Sequence, residues 1–252
     1  MIKRRWILLR GLARESGHWG DFQALLTEAF PQDEVAFIDL PGSGKKNKEK
    51  CPVVLNEFIH LLREDAKTRL GGFEKNKPIV LGISFGAMSA YAWSCRFPED
   101  FLKVVLINPS FKGLNPWYQR LRPQTLPRLL SSVLSVSESL SEKKILEVVS
   151  NVPMIREKSL EAWTQIRKKR KMSVENIFRQ LFVASQIKMD PNLSLKHPLL
   201  ILGSAQDRMV DIECSKKLSK IMGAPLKLHP DAGHDLTLDD PYWVVEQLKL
   251  WI

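Results

Sequence analysis

The residues with the clearest chemical capacity are Gly82-Ile83-Ser84-Phe85-Gly86. They follow the apolar run Pro78-Ile79-Val80-Leu81 and precede Ala87-Met88-Ser89-Ala90, a helix-like segment. A serine between a buried strand and a helix is the context of a nucleophile elbow. Holding a side chain on so sharp a turn takes a strained backbone, and side chains two residues to either side would collide. Glycine at 82 and 86 removes them. The helix starting after Ser84 turns free backbone N–H groups and its positive end toward charge forming beside the hydroxyl. Such a serine would attack a carbonyl carbon, with the N–H groups holding the oxyanion. The pentapeptide alone is also compatible with an ordinary glycine-rich turn; the strand before it and the helix after it favour the elbow.

The elements that must position this serine read as alternating strands and helices. Residues 4–10 predict a first strand, and Gly17 opens a helix that runs to Phe30 and stops at Pro31. Val35–Leu40 is a second strand, followed by the loop Pro41-Gly42-Ser43-Gly44 and a lysine-rich connector. From Pro52 to Leu70 the pattern is amphipathic, with Leu55, Phe58, Ile59 and Leu62 on one face and Gly71-Gly72 at the end. The elbow strand and helix come next, closing near Phe97-Pro98, and Val104–Ile107 is a fourth strand leading to Asn108-Pro109-Ser110. From Phe111 to Ile187 the patterns are helical, without a convincing strand. Leu199–Leu202 resumes the sheet; a helix over 212–222, a strand over 225–229 and a helix over 241–251 complete the chain. This order predicts a doubly wound, mostly parallel α/β sheet of about six strands, with the second at an edge. The core comprises residues 1–110 and 188–252, and residues 111–187 form an inserted helical cap.

A chain of 252 residues holds one large α/β domain or a domain with an insertion. At 44% hydrophobic and 26% charged it is not a disordered protein, and no apolar run reaches the length of a membrane span. The basic start and the short stretch Trp6-Ile7-Leu8-Leu9 do not make a signal peptide, because Arg10 interrupts the apolar region. Cys51, Cys95 and Cys214 are odd in number, widely separated and without metal-ligand spacing, which fits reduced thiols in a cytoplasm. The net charge of +10 is densest at Arg167-Lys168-Lys169-Arg170-Lys171, with further lysines at 45, 46, 48 and 50. The plain reading is a solvated helix face and a basic loop. The sharper one is attraction to an acidic partner: an anionic acyl carrier, a phospholipid surface or nucleic acid. No aromatic residues interleave with these charges, which argues against nucleic acid.

With Arg10-Gly11 after the first strand, Leu40-Pro41-Gly42-Ser43-Gly44, the elbow, Asp207 after a late strand and Gly233-His234 near the end, the chain resembles the α/β-hydrolase superfamily. The resemblance covers nearly everything outside the cap and looks closest to the small, cap-bearing carboxylesterases of biotin synthesis. Serine, acid, histidine is the order this fold uses. The resemblance implies Ser84 as nucleophile, His234 as general base and Asp207 as the acid that orients the imidazole. Asp207 reads alternatively as a cap on the turn before Val210. Asp231 and Asp235 stand too near His234 in sequence to hold its far nitrogen. The implied oxyanion hole is the backbone N–H of Leu12 and of Phe85. His18 sits in a loop that could reach the pocket, whereas His60, His197 and His229 read as structural. Trp117, Tyr118, Trp163, Phe178, Leu181 and Phe182 are candidates for the pocket wall under the cap, with cap packing as their other role.

Three departures stand out. Arg10-Gly11 occupies the place where relatives often carry His-Gly, and Ala87 replaces a glycine common after the elbow. The chain also begins at what would be the family's third strand, so the leading hairpin is expected to be missing. The expected activity is hydrolysis of a carboxylic ester or thioester through an acyl-enzyme on Ser84, on a small-molecule or carrier-bound acyl substrate, with no cofactor or metal. Acyl transfer and carbon–carbon bond hydrolysis use the same triad. A non-catalytic binding module would keep the fold without the chemistry. Serine in place of aspartate at the nucleophile position argues against halide and epoxide chemistry.

Overall fold

The computed structural model describes residues 3–190 and 195–252. Met1, Ile2 and residues 191–194, which fall within the segments assigned to the core, lie outside the described residues. Among the described residues six strands form one sheet: β1 (Arg5–Leu9), β2 (Glu34–Ile38), β3 (Ile79–Ile83), β4 (Lys103–Ile107), β5 (Leu199–Ser204) and β6 (Leu226–His229). Their order is β2-β1-β3-β4-β5-β6. All five pairings are parallel, and β2 takes the edge, as the sequence predicts. The chain runs outward from β1 to β2 and then returns to the other side of β1 for β3. The reversal leaves a crevice at the carboxyl ends of β1 and β3, where open α/β sheets bind ligands.

Alternation along the strands divides the core in two. Trp6, Leu8, Leu81, Ile83, Val105 and Leu202 face helices α1 (Asp21–Ala29) and α10 (Pro241–Trp251), which supply Phe22, Leu26, Val244 and Leu248. Ile7, Leu9, Val80, Val104, Leu106 and Ile201 face α2 (Leu55–Leu70), α3 (Phe85–Arg96) and α9 (Glu213–Met222), represented by Phe58, Leu62, Ala90 and Leu218. Both layers are apolar, so the central strands β1, β3, β4 and β5 read as nearly continuous apolar runs. Helix α2 ends where Gly71 adopts φ 66°, a left-handed cap. The helix expected from Gly17 is shorter than its pattern: a 3₁₀ turn over Ser16–Trp19 precedes α1, and Gly20, at φ 50°, separates them.

Between β4 and β5 lie α4 (Trp117–Arg120), α5 (Leu126–Val133), α6 (Glu138–Val149), α7 (Pro153–Arg170) and α8 (Val174–Gln186). The segments that leave and re-enter the sheet run side by side through a bridge between Lys112 and Lys188. Ser137 caps α6 and Ser173 caps α8 by accepting from the backbone three residues on. The basic run closing α7 is not a uniformly solvated face. Arg167 pairs with Glu138 and Glu142, Arg170 with Glu15, and Lys171 with Glu138, while Lys168 and Lys169 are exposed. Helical geometry separates them: 167, 170 and 171 share one side, and 168 and 169 fall on another. No helix among the described residues is long and apolar enough to cross a membrane.

Candidate active site

Ser84 stands between β3 and α3 at φ 57° and ψ −120°, a backbone that an L-residue holds only under constraint. The constraint is visible. Its N–H donates to Ile107 O at the end of β4 (2.9 Å), and its carbonyl accepts from Met88 N in α3 (3.0 Å). A Cβ on Gly82 would fall on the Gly86 carbonyl, and one on Gly86 would fall on the carbonyls of Leu9 and Arg10. Both glycines are therefore steric requirements of the turn. Gly11 lies against the serine, close enough that a Cβ there would meet Ser84 Cβ at 3.4 Å. The loop Gly11-Leu12-Ala13 thus flanks Ser84. Ala13 adopts φ 56°, and its N–H donates to Gln180 Oε1 of α8 (3.1 Å), while Gln180 Nε2 donates to Pro41 O (3.0 Å). Among the described residues neither Leu12 N–H nor Phe85 N–H has a hydrogen-bond acceptor. Two free amides on either side of a serine are the elements of an oxyanion site.

His234 Nδ1 and Asp207 Oδ2 are 2.7 Å apart, both buried. An imidazole that donates to a carboxylate through Nδ1 presents Nε2 as its acceptor. Nε2 is buried and without a partner among the described residues, so the structure holds no bond between it and the Ser84 hydroxyl. The other carboxylate oxygen, Oδ1, accepts from Met209 N (2.7 Å) and Val210 N (2.9 Å). The two sequence readings of Asp207 are therefore compatible: one oxygen caps its own turn and the other holds the histidine. Burial pushes the His234 pKa down, but the Asp207 carboxylate, by charge and hydrogen bond, outweighs it. Asp235 adds to the upward shift and Arg10 opposes it, leaving the value raised above that of a free histidine.

The end of β4 ties these parts together. Ile107 holds the Ser84 amide, and the next residue, Asn108, donates from Nδ2 to His234 O (2.8 Å) and to Ser204 Oγ (3.0 Å). Asn108 Oδ1 accepts from Ser204 N (2.9 Å). One asparagine thus fixes the histidine loop and the strand leading to Asp207. The sequence marks it only as the end of a strand; its φ of 46° is the kind of position asparagine tolerates. Sequence reasoning also missed a contribution from the helices inserted between β4 and β5. Asn151, between α6 and α7, donates from Nδ2 to Gln206 O and Asp231 O (both 3.0 Å), just before the acid and just before the histidine. Asp239 accepts from Asn151 N (2.8 Å) and Gly233 N (2.7 Å). No spacing rule exposes such bridges between distant loops.

His18 is not free to serve the pocket. It is buried, with Glu15 N donating to Nδ1 (3.1 Å), Arg14 Nη1 3.1 Å from Nε2, and Trp163 edge-on at 5.0 Å. Burial, then the charges of Arg14 and Arg10, hold its pKa well below the ordinary value and favour the neutral ring. Trp163 itself is covered by His18 and by the Arg14 guanidinium at 5.2 Å, and so fills the seam between cap and core. Trp117, Tyr118, Phe178, Leu181 and Phe182 are exposed. His229 accepts two backbone N–H groups at Nδ1 and faces Asp240 at 3.2 Å; His60 stacks edge-on against Phe97. Asp235 makes no hydrogen bond to the imidazole among the described residues and pairs with Arg10. Among the described residues no group of three or more His, Cys, Asp or Glu could hold a metal ion.

Comparison with known proteins agrees with this architecture. Over 130 residues the chain is 28% identical to the biotin biosynthesis bifunctional protein BioHC of Teredinibacter turnerae, covering 47% of this chain and 21% of that protein. It is 24% identical over 260 residues to epoxide hydrolase 1 of Caenorhabditis elegans, covering 93% and 62%. The chain thus spans less than two thirds of either relative's length. A hydrolase from Pseudomonas aeruginosa superposes with a TM-score of 0.78 at 17% identity, over 99% of this chain and 89% of that one, a likeness of fold. The model of the Alpha/beta hydrolase family matches residues 6–247, from the first strand to the last helix. The chain belongs to the alpha/beta hydrolase family.

Proposed function

We propose that the protein is a serine hydrolase that cleaves a carboxylic ester or thioester through an acyl-enzyme on Ser84. The observation that carries this reading is the buried pair of His234 Nδ1 and Asp207 Oδ2 at 2.7 Å, with Nε2 left as the free acceptor. His234 Nε2 takes the proton of Ser84 as its oxygen attacks the carbonyl carbon. The Leu12 and Phe85 amides receive the oxyanion. The carbon–oxygen or carbon–sulfur bond breaks, and His234 returns the proton to the leaving group. Water then attacks the acyl carbon and gives a proton to His234; the bond from the acyl carbon to Ser84 Oγ breaks, His234 returns the proton to Oγ, and the acid leaves. Asp207 stays ionised and opposes the charge that forms on the imidazole.

The reading takes a small-molecule substrate, because three of the five basic side chains that would receive an acidic carrier already hold carboxylates. Exposed Trp117, Tyr118, Phe178 and Phe182 are the candidates for contact with an apolar acyl chain. Three free thiols suit a reducing compartment, and a cytoplasmic location is part of the reading.

A p-nitrophenyl ester series of increasing acyl length, with Ser84→Ala as control, tests it. The expected result is turnover by the wild type and a loss of at least about a thousandfold in the variant. Equal turnover by both would sink the assignment of Ser84. Absence of turnover together with no labelling by a fluorophosphonate would point to a binding module instead.

A further inference from the structure

We propose that Arg10 is a positioning residue for His234: its pairing with Asp235 holds the histidine loop against the oxyanion loop and balances the second carboxylate beside the imidazole. The inference rests on the serine-hydrolase reading above. Arg10 follows β1 directly and precedes Gly11 and Leu12, the loop that flanks Ser84. Asp235 follows His234 directly. Both carboxylate oxygens of Asp235 are engaged by the guanidinium, Nη1 with Oδ1 at 3.2 Å and Nη2 with Oδ2. Nη1 also donates to Thr237 Oγ1 (3.1 Å), which in turn donates to Asp235 Oδ1 (2.9 Å). The Trp19 ring covers the guanidinium at 4.8 Å. The pair is 3% and 5% exposed by side chain.

Stability alone does not account for it. A buried ion pair loses most of its Coulomb gain to desolvation, and apolar side chains would join the two loops at least as well. The guanidinium even leaves its Nε buried without a partner. What the pair supplies is a two-point fork of fixed geometry between the loops bearing the oxyanion donor and the base. It also supplies a counter-charge. The charged groups facing His234 are Asp207 from the loop after β5, Asp235 from its own loop and Arg10 from the end of β1. Without Arg10, two carboxylates would act on one imidazole. The base would then hold its proton more tightly and accept another less readily near neutrality.

The pH dependence of phosphonylation by a fluorophosphonate tests this, measured for Arg10→Met, Asp235→Asn, the double variant and Arg10→Lys, with melting followed for each. The acidic limb of the rate is expected to move up by about half a pH unit or more in Arg10→Met, and down in Asp235→Asn. It returns near the wild-type position when both charges are removed. Arg10→Lys keeps the charge and therefore the limb, but loses about tenfold in rate because one ammonium cannot hold both oxygens. Variants that fold and lose rate with the wild-type limb, or that shift in the same direction, would overturn the proposal. If Arg10→Met does not fold, Asp235→Asn and the double variant still carry the signed comparison. A wild type that the probe does not label would overturn the serine-hydrolase reading itself, a separate failure.

Discussion

The sheet and the helical insertion between β4 and β5 (called the cap below) are held to the rest of the molecule by different mixtures of forces. Both faces of the sheet are covered by apolar side chains, with Trp6, Leu8 and Phe22 on one and Leu9, Phe58 and Leu106 on the other. The helices between β4 and β5 meet the core through the apolar face of α8, where Val183 joins the cluster of Phe58 and Leu106, and through a set of buried polar groups. Arg14 and Arg167 converge on Glu142, Arg170 holds Glu15, and His18 lies between Arg14 and Trp163. Asn176 and Gln180 of α8 reach core loops, accepting from Cys51 N and Ala13 N and donating to Gly42, Glu49 and Pro41 carbonyls. Apolar burial stabilises roughly in proportion to area and tolerates small shifts. A hydrogen-bonded or charged seam is satisfied in one register only, and desolvation cancels much of its gain. The sheet therefore supplies stability. The seam supplies position, and it ends at Ala13, beside Leu12 and the Ser84 turn.

The largest effect is expected in the sheet. Phe58 is fully buried and packs on Phe85 with ring centroids 5.5 Å apart, beneath the elbow. Phe58→Ala should cost about 3–5 kcal/mol of global stability, read from denaturant unfolding. A loss below about 1 kcal/mol would mean that apolar packing does not set the stability of this face. In the seam, Glu142→Gln should cost less, about 2–3 kcal/mol, because Arg14 and Arg167 keep some exposure. Its signature is location. Hydrogen exchange should rise in α6 and α7 while β3 and β4 stay protected. Uniform loss of protection would show that cap and sheet are one cooperative unit and erase the distinction.

The same contrast explains what was legible in the sequence. Apolar runs of about four residues marked the central strands within a residue or two, because strands buried on both faces leave few polar residues to blur them, whereas the edge strands β2 and β6 are partly exposed and carry Glu34, Lys227 and His229. Ser84 was legible because the turn needs glycine at two fixed offsets. His234 and Asp207 were legible through their order and their neighbours in a family pattern. Asn108, Asn151 and Asp239 were not, since each joins loops far apart in the chain and carries no local periodicity. The basic run 167–171 misled for a related reason. Composition registers five like charges, but only the fold reveals Glu15, Glu138 and Glu142 waiting on one side of the helix.

A weaker effect should come from pH. Because burial and the nearby arginines hold the His18 pKa well below its unfolded value, the unfolded chain takes up a proton that the folded seam refuses. Stability is then complete above the unfolded value of about 6.5 and falls as pH drops below it, by at most about 1.4 kcal/mol per pH unit. His18→Gln should flatten that slope in a stability profile between pH 5 and 7, a range set on the order of the free histidine pKa. A slope unchanged by the substitution would assign the acid sensitivity to other groups. His234 has the opposite sign. Its raised pKa should place the acidic limb of activity above that of a free histidine, so activity and seam stability need not fall together.

The smallest effect tests the boundary of the seam. Lys168 and Lys169 are exposed and have no carboxylate partner among the described residues, while Arg170, the next residue, is engaged by Glu15. Glu15 has almost no exposed side chain, so its charge relies on that arginine. Lys168→Glu/Lys169→Glu should change stability by no more than about 0.5 kcal/mol, as exposed charges in high dielectric do. Arg170→Glu should instead place two carboxylates together in a site with little water, and cost several times more. The three substitutions reverse the same charge within three consecutive positions. Net charge and local composition therefore predict similar effects per residue, and only the partner on the core side predicts a gap. Measured side by side in urea, equal costs would return the run to the status of a solvated face and remove Arg170 from the seam. A wide gap would place the edge of the seam between residues 169 and 170.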